Sequence, residues 1–117
     1  MNILVFKVAG ITYEGRQDTI AQLKGNEPVR LTPEPTNKYD PNAIAVHVAV
    51  APGVVKHCGF VPRELAARVA PYLEGESFMA EIREITGGFE LNDGSTAALG
   101  LLIAVTLPDE WTDEDVL

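Results

Sequence analysis

The amino-acid sequence predicts a mainly β domain in which two short helices plug a small, curled β-barrel. Three observations favour this fold class. The chain of 117 residues is long enough for one domain with a single core. Six short segments have the pattern of β-strands, and two short segments have the pattern of helices. Strands and long helices do not alternate regularly, which argues against a doubly wound parallel sheet.

The predicted strands are runs of branched apolar residues or alternations of bulky with small or polar residues. They comprise residues 3–8, 28–32, 43–50, 54–61, 78–85 and 99–107. The third strand has one bulky and one small face, formed by Ile44, Val46, Val48 and Val50 against Ala43, Ala45, His47 and Ala49. Because Ala51-Pro52-Gly53 supplies a turn, residues 43–61 are predicted to form a β-hairpin.

The first helix is predicted over residues 17–24 and is expected to stop at Gly25. The second helix starts at Pro62, where the missing N–H group carries no penalty. Its apolar stripe consists of Leu65, Val69, Tyr72 and Leu73. Pro71 is expected to kink or shorten the last turn, because proline cannot donate the backbone hydrogen bond of a helix interior.

Acidic residues are concentrated in the second half of the chain. The net charge of −8 argues against a protein that holds nucleic acid by bulk electrostatic attraction. Residues 1–68 contain eight basic and six acidic side chains, a net charge of +2, whereas residues 69–117 contain one basic and eleven acidic side chains, a net charge of −10. A negatively charged ligand is therefore expected to meet the first half. Residues 108–117 are predicted to be an acidic C-terminal tail beyond a domain of residues 1–107.

Several classes of protein are excluded by motifs that the sequence lacks. No apolar run approaches the roughly 18 residues of a membrane-spanning helix, and the N-terminus lacks the features of a secretory signal. We therefore expect a cytoplasmic protein without a membrane partner. Glycine-rich phosphate motifs and Cys-x-x-Cys spacings are also absent, so we predict no enzyme, cofactor or metal. Cys58 and His47 are interpreted as structural residues.

A polar stretch, EPTNKYDPN at residues 34–42, runs directly into the third strand. Its prolines keep the backbone out of a helix, and the side chains of Asn37 and Asp40 are of the type that bonds nearby amides in turns. The loop is therefore expected to be rigid and to present Tyr39. The structural alternative is a capped start of the strand, in which Asp40 and Asn42 satisfy backbone groups and Tyr39 covers the end of the barrel.

Three segments together resemble the HIRAN domain family. They are GITYEGRQ at residues 10–17, LTPEPTNKYDPNAIAV at residues 31–46 and GFVPRELA at residues 59–66. They occur in the order typical of the family, and the resemblance extends over roughly residues 3–107. The YDPNAI core at residues 39–44 is the most specific of these signals. The chain is similar to the short, free-standing bacterial and phage members rather than to the modules carried by Swi/Snf-type DNA translocases.

The resemblance implies an OB-like barrel that binds the 3′-hydroxyl end of single-stranded DNA, without catalysis, and a DNA translocase or helicase as a further partner. It implies a DNA repair or replication-fork context. Nine residues are candidates for the DNA site. They are Tyr13, Arg16, Arg30, Asn37, Lys38, Tyr39, Asp40, Phe60 and Arg63.

The candidate residues have distinct expected roles. Tyr39 and Tyr13 offer flat faces to terminal bases. Asp40 accepts a hydrogen bond from a terminal hydroxyl group and repels the phosphodiester of a continuing strand. The remaining candidates are expected to hold the sugar or the phosphates, except that the strand phase of Phe60 favours the core over a stacking role. The sugar contacts are assigned to Asn37 and Lys38, and the phosphate contacts to Arg16, Arg30 and Arg63.

Two other functions stay open at the level of the sequence. The net charge of −8 favours a protein-interaction or adaptor domain that partners a helicase or a phage factor without binding DNA itself. A metal-dependent nuclease built from Asp40, Glu34 and the histidines is the third hypothesis, although no spacing of these residues requires it.

Overall fold

The computed structural model describes residues 2–73 and 75–107. This part of the chain contains six strands and two helices, in agreement with the predicted mainly β class. In chain order the elements are β1 (Asn2–Lys7), α1 (Arg16–Ala21), β2 (Pro28–Pro33), β3 (Ile44–Ala51), β4 (Val54–Phe60), α2 (Arg63–Leu73), β5 (Phe78–Thr86) and β6 (Gly100–Leu107). The acidic segment predicted at residues 108–117 lies outside the described residues.

The strands form one antiparallel sheet in the order β1-β6-β5-β2-β3-β4. The expected closed barrel is wrong, because the edge strands β1 and β4 do not form a ladder. They are joined only by an isolated bridge at one corner, where the Ala9 N–H lies 2.8 Å from the Phe60 carbonyl oxygen and the Phe60 N–H lies 2.9 Å from the Ala9 carbonyl oxygen. Beyond this bridge, β1 faces helix α2 across a cavity of about 660 Å³. Within residues 2–73 and 75–107, no ladder joins β1 to β4.

The hydrophobic core lies against one face of this curled sheet. Ile44, Val46 and Val48 are fully buried, which confirms the bulky face predicted for β3. Core side chains come from β1, β2, β3, β4, α2, β6 and the segments next to them, whereas β5 packs partly buried apolar side chains against the core. In α1, Ile20 is fully buried outside this cluster. The core cluster comprises Phe6, Val8, Val29, Leu31, Ile44, Val46, Val48, Cys58, Val61, Ala66, Val69, Leu73, Leu101, Ile103 and Val105.

The structural interpretation of Cys58 is also supported, since its side chain is fully buried in the core. Burial raises the pKa of the Cys58 thiol to about 11. Because the thiolate is the reactive form of cysteine, the group is not a nucleophile at neutral pH.

Both helices differ slightly from the predicted bounds, for local reasons. Helix α1 ends at Ala21 because the Glu27 carboxylate accepts hydrogen bonds from the backbone N–H groups of residues 24, 25 and 26, at 2.7, 2.8 and 3.1 Å. These bonds hold the segment as a turn rather than a helix. Helix α2 runs through Pro71 and ends two residues later at Leu73, in agreement with a shortened last turn. No helix within the described residues is long and apolar enough to cross a membrane.

Gly59 makes the corner bridge between the edge strands possible. Its φ of 147° lies in a region that favours glycine, and a Cβ atom at this position would collide with the Ala9 carbonyl oxygen. The same Cβ would lie 2.6 Å from Cγ1 of Val8. A glycine inside a strand commonly marks such a close approach of two backbones.

We therefore expect Gly59→Ala to destabilise the domain strongly. Backbone strain and the collision together are expected to lower the free energy of unfolding by about 3 kcal/mol, measured by urea denaturation. Gly53→Ala is the matched control, because Gly53 also has a positive φ, 74°, but nothing lies within 4 Å of an added Cβ. The control is expected to lose only about 1 kcal/mol. Equal losses in the two variants would contradict the importance of the corner bridge.

Candidate nucleic-acid interface

The loop between β2 and β3 is shaped by the side chain of Asn37. Its Oδ1 atom accepts hydrogen bonds from the backbone N–H groups of Tyr39 at 2.8 Å and of Asp40 at 3.0 Å. Its Nδ2 atom donates to Glu34 Oε1 at 3.0 Å. The backbone closes the loop, because the Glu34 N–H lies 2.8 Å from the Ala43 carbonyl oxygen. These bonds account for the rigidity expected from the sequence and make Asn37 a positioning residue.

The two carboxylate oxygens of Asp40 have different environments. Oδ1 accepts a hydrogen bond from the Asn42 N–H at 2.9 Å, so it belongs to the turn. Oδ2 lies 3.7 Å from Nε of Arg63, at the start of α2. The Asp40 side chain is 19% exposed, whereas the Arg63 side chain is 80% exposed. One oxygen of Asp40 therefore remains available to a ligand, next to a largely free guanidinium group.

A cavity of about 310 Å³ opens beside Asp40. We call it the Asp40 cavity. Its walls come from the loop that follows β1, the β2–β3 loop and the junction between β4 and α2, which the corner bridge brings together. It is lined by Ala9, Asn37, Tyr39, Asp40, Ala43, Phe60, Val61 and Arg63. Five of the nine candidate residues therefore line one cavity.

The tyrosine of this loop points away from the core. Tyr39 is 79% exposed, so the part of the structural alternative in which its ring covers the end of the sheet is wrong. The other part holds for Asp40, which does cap the start of the strand.

Lys38 lies beside the cavity rather than in it, with its Nζ atom 5.1 Å from the centre of the Tyr39 ring. This contact occupies one face of the ring and adds a positive charge to it.

Tyr13 lies on the neighbouring loop, which begins at Ala9 in the cavity wall. Its side chain is exposed. Tyr13 does not itself line the Asp40 cavity. Its stacking role stays a prediction.

The phosphate contact predicted for Arg16 stays a prediction, and the structure gives this side chain partners within the protein. Arg16 is only 8% exposed, and its Nη1 atom donates to the Gly10 carbonyl oxygen at 2.6 Å. Its guanidinium carbon lies 5.6 Å from the centre of the Phe60 ring, and Nη2 lies 3.4 Å from His57 Nδ1. Arg16 thus links the loop between β1 and α1, which carries Tyr13 and which we call the Tyr13 loop, to the end of β4.

Phe60 has features of both roles considered for it, a core residue and a stacking residue. It is half-buried, and its ring packs edge-on against His57 with 4.8 Å between the ring centres. Since it also lines the Asp40 cavity, part of the ring remains available to a ligand. Arg30, by contrast, is not in this cavity and lies in a separate groove on β2.

His57 also belongs to this region, although it is not among the residues predicted from the sequence. A register shift between Val46 and His47 leaves Cys58 without a partner in β3, and His57 pairs opposite His47. This β-bulge turns Cys58 inward while His57 faces outward beside Phe60. Gly59 within a predicted strand was the available signal for such a bulge.

The environment of His57 lowers its pKa below the ordinary value of 6.5. Burial is the largest cause, followed by the positive charge of Arg16, while a hydrogen bond to the Gly59 carbonyl oxygen at 2.8 Å acts in the opposite direction. The His47 ring lies 5.3 Å away and Glu34 exerts a small opposing effect. The neutral imidazole is therefore the form that the fold favours.

This shift predicts a pH dependence of stability. Because the folded pKa is lower than the unfolded pKa, the unfolded state binds more protons below about pH 6.5, and the free energy of unfolding is expected to fall as the pH decreases from about 7.5 to about 5.5. His57→Gln is expected to flatten this dependence. Urea denaturation across the pH range measures the effect. An NMR titration that gave His57 a pKa at or above its ordinary value would contradict it.

Within the described residues, no three His, Cys, Asp or Glu side chains are grouped as a metal site. The nuclease hypothesis therefore gains no support from the placement of Asp40, Glu34 and the histidines.

The fold resembles a solved structure described as the crystal structure of the HIRAN domain of human HLTF, with a TM-score of 0.54 and 24% sequence identity over 89% of this chain and 76% of that chain. At this identity the likeness concerns the fold alone. A comparison with curated proteins gave no match. The sequence model of the HIRAN domain matches residues 1–92, which include every residue of the Asp40 cavity. The chain belongs to the HIRAN domain family.

Proposed function

We propose that this chain is a non-catalytic binding domain that captures the 3′-hydroxyl end of single-stranded DNA in the Asp40 cavity. The observation that carries the proposal is the Oδ2 atom of Asp40, which lies 3.7 Å from the exposed guanidinium group of Arg63 and in the same cavity as the exposed Tyr39. What the resemblance to HIRAN domains implies about DNA ends supports the same assignment. Residues 1–107 are proposed as the binding domain, and residues 108–117 as an acidic tail.

The carboxylate supplies the selectivity for an end. A terminal 3′-hydroxyl group donates a hydrogen bond to Asp40 Oδ2, and hydrogen bonds to ionised acceptors are stronger than those between neutral groups. A strand that continued past this point would place a phosphodiester at the same oxygen. Two negative charges in contact repel each other, so the interior of a strand is rejected.

Arg63 offsets the negative charge of Asp40 and supplies a phosphate contact. Its side chain is 80% exposed and begins the eleven-residue helix α2. The N-terminal end of a helix carries partial positive charge, which favours the phosphate of the terminal nucleotide. Lys38, beside Tyr39, is the second candidate for a backbone contact.

Tyr39 contributes stacking that does not depend on sequence. A base that stacks on an aromatic ring typically gains about 1 to 3 kcal/mol. The Asn37 bonds hold the backbone of Tyr39 in place before any ligand arrives, so Asn37 acts through the loop rather than on the sugar. Phe60 lines the same cavity.

We expect Asp40→Asn to abolish the selectivity for a free end. The amide keeps an oxygen that can accept the Asn42 N–H, so the loop is retained, while the negative charge at Oδ2 is lost. The wild-type protein is expected to bind a 3′-hydroxyl oligonucleotide at least about tenfold more tightly than its 3′-phosphorylated twin. The variant is expected to bind both equally. Fluorescence anisotropy measures the four dissociation constants.

Asp93→Asn is the matched control for this substitution. Asp93 accepts a similar turn hydrogen bond, from the Ser95 N–H at 2.9 Å, but lies outside the cavity lining. Its substitution is expected to leave the preference for the 3′-hydroxyl end unchanged. A wild-type protein that binds both oligonucleotides equally would remove the role assigned to Asp40.

We expect Tyr39→Ala to weaken the binding of a 3′-hydroxyl oligonucleotide about five- to 150-fold, the equivalent of one stacked base. Because the ring is exposed, the free energy of unfolding is expected to change by less than about 0.5 kcal/mol. Anisotropy and urea denaturation on the same sample separate the two effects. Unchanged affinity in a folded variant would contradict the stacking role.

An adaptor domain without DNA binding is the second candidate function, and the net charge of −8 favours it. In that case the partner is a protein, for which a DNA translocase or helicase is the candidate implied by the family resemblance. Absence of oligonucleotide binding at low salt, together with recovery of a protein partner from nuclease-treated lysate, would decide for this alternative.

A further inference from the structure

A second groove lies on the outer face of the sheet, on the opposite side from the core. We call it the Arg30 groove. It has a volume of about 320 Å³ and is lined by Pro28, Val29, Arg30, Thr32, His47, Ala49, Val55 and Met79. None of these residues lines the Asp40 cavity.

The groove exists because the outer face of β3 carries small side chains. Ala49 leaves the middle of this surface low, whereas Val55 on β4 and Met79 on β5 stand on either side. Val55 is 60% exposed and Met79 is 58% exposed. Exposed apolar walls around a floor of small residues can accept a flat, partly apolar group.

A row of rings connects the groove to the Asp40 cavity. Phe60, in the cavity wall, lies 4.8 Å from His57, and His57 lies 5.3 Å from His47 between ring centres. His47 lines the groove, and its Nδ1 atom lies 3.3 Å from Thr32 Oγ1. The three rings are half-buried, so parts of them remain accessible along the whole row.

The charges along the groove favour an anionic occupant at its centre. Arg30 is exposed, and no carboxylate within the described residues lies within 4.0 Å of its guanidinium group. Glu81 is exposed on the same face of β5, paired with Pro28 at the far end of the groove. A negatively charged chain is therefore attracted to Arg30 and repelled beyond it, which limits the length of the bound segment.

We propose that the Arg30 groove binds the nucleotides that precede the terminal nucleotide of a single DNA strand, with Arg30 on a backbone phosphate. The inference rests on the proposed function, since the strand reaches the groove from the Asp40 cavity along the row of rings. The sugars and bases lie against Val55, Met79 and His47. Base faces of any sequence fit such a surface, because every base has an apolar face.

The experiment compares 3′-hydroxyl oligonucleotides of increasing length, from a dinucleotide to an octanucleotide, on the full chain by fluorescence anisotropy. The wild-type affinity is expected to rise with length. Arg30→Ala is expected to weaken the octanucleotide about tenfold, the typical effect of one charge-assisted contact, and to leave the dinucleotide unchanged. Arg68→Ala is the matched control, because Arg68 is exposed on α2 and lines neither the cavity nor the groove.

The outcomes separate the groove from the cavity. Tyr39→Ala is expected to weaken every length, because all lengths place their end in the Asp40 cavity. Two results would overturn the groove proposal and leave end capture standing. In the first, the dinucleotide binds and longer oligonucleotides bind no more tightly. In the second, Arg30→Ala weakens all lengths alike. If Arg30→Ala strengthens the binding of the octanucleotide, Arg30 does not hold a phosphate of the strand and the proposal also fails. If no length binds, both proposals fail.

Discussion

The bridge between Ala9 and Phe60 is the constraint on which the rest of the candidate site depends. Two hydrogen bonds join the edges of an otherwise open sheet, and they form only because Gly59 lets the two backbones approach. The bridge fixes where the Tyr13 loop leaves β1 and where Arg63 begins α2. The β2–β3 loop completes the cavity from the third side. A single backbone contact therefore gathers residues that are about 50 positions apart in the sequence.

Much of the fold could be predicted from the sequence because it follows from local patterns. The alternation in β3, the turn at Ala51-Pro52-Gly53 and the proline at the start of α2 each carry their signal within a few residues. The failure to close the barrel has another origin. Closure depends on whether the two edge strands meet along their length, which is a long-range property that no local pattern contains.

The candidate site could be predicted in part, for the same reason. Tyr39, Asp40 and Asn37 belong to one short loop, so their neighbourhood follows from their spacing. Arg16 and Arg30 were assigned from charge alone. The carbonyl oxygen of Gly10 and the ring of Phe60 take Arg16 out of solvent, whereas Arg30 lines a separate groove and not the Asp40 cavity. The sequence shows that a residue is positively charged, but not on which surface of the folded domain its side chain lies.

The loop held by Asn37 has a consequence for how a ligand would be received. Three hydrogen bonds from one amide side chain fix the turn in the free protein. The conformational entropy of this segment is thus already lost at folding, so ordering the loop adds no further cost to the free energy of binding. A preorganised socket of this kind can act with few contacts, which suits a small domain with an overall negative charge.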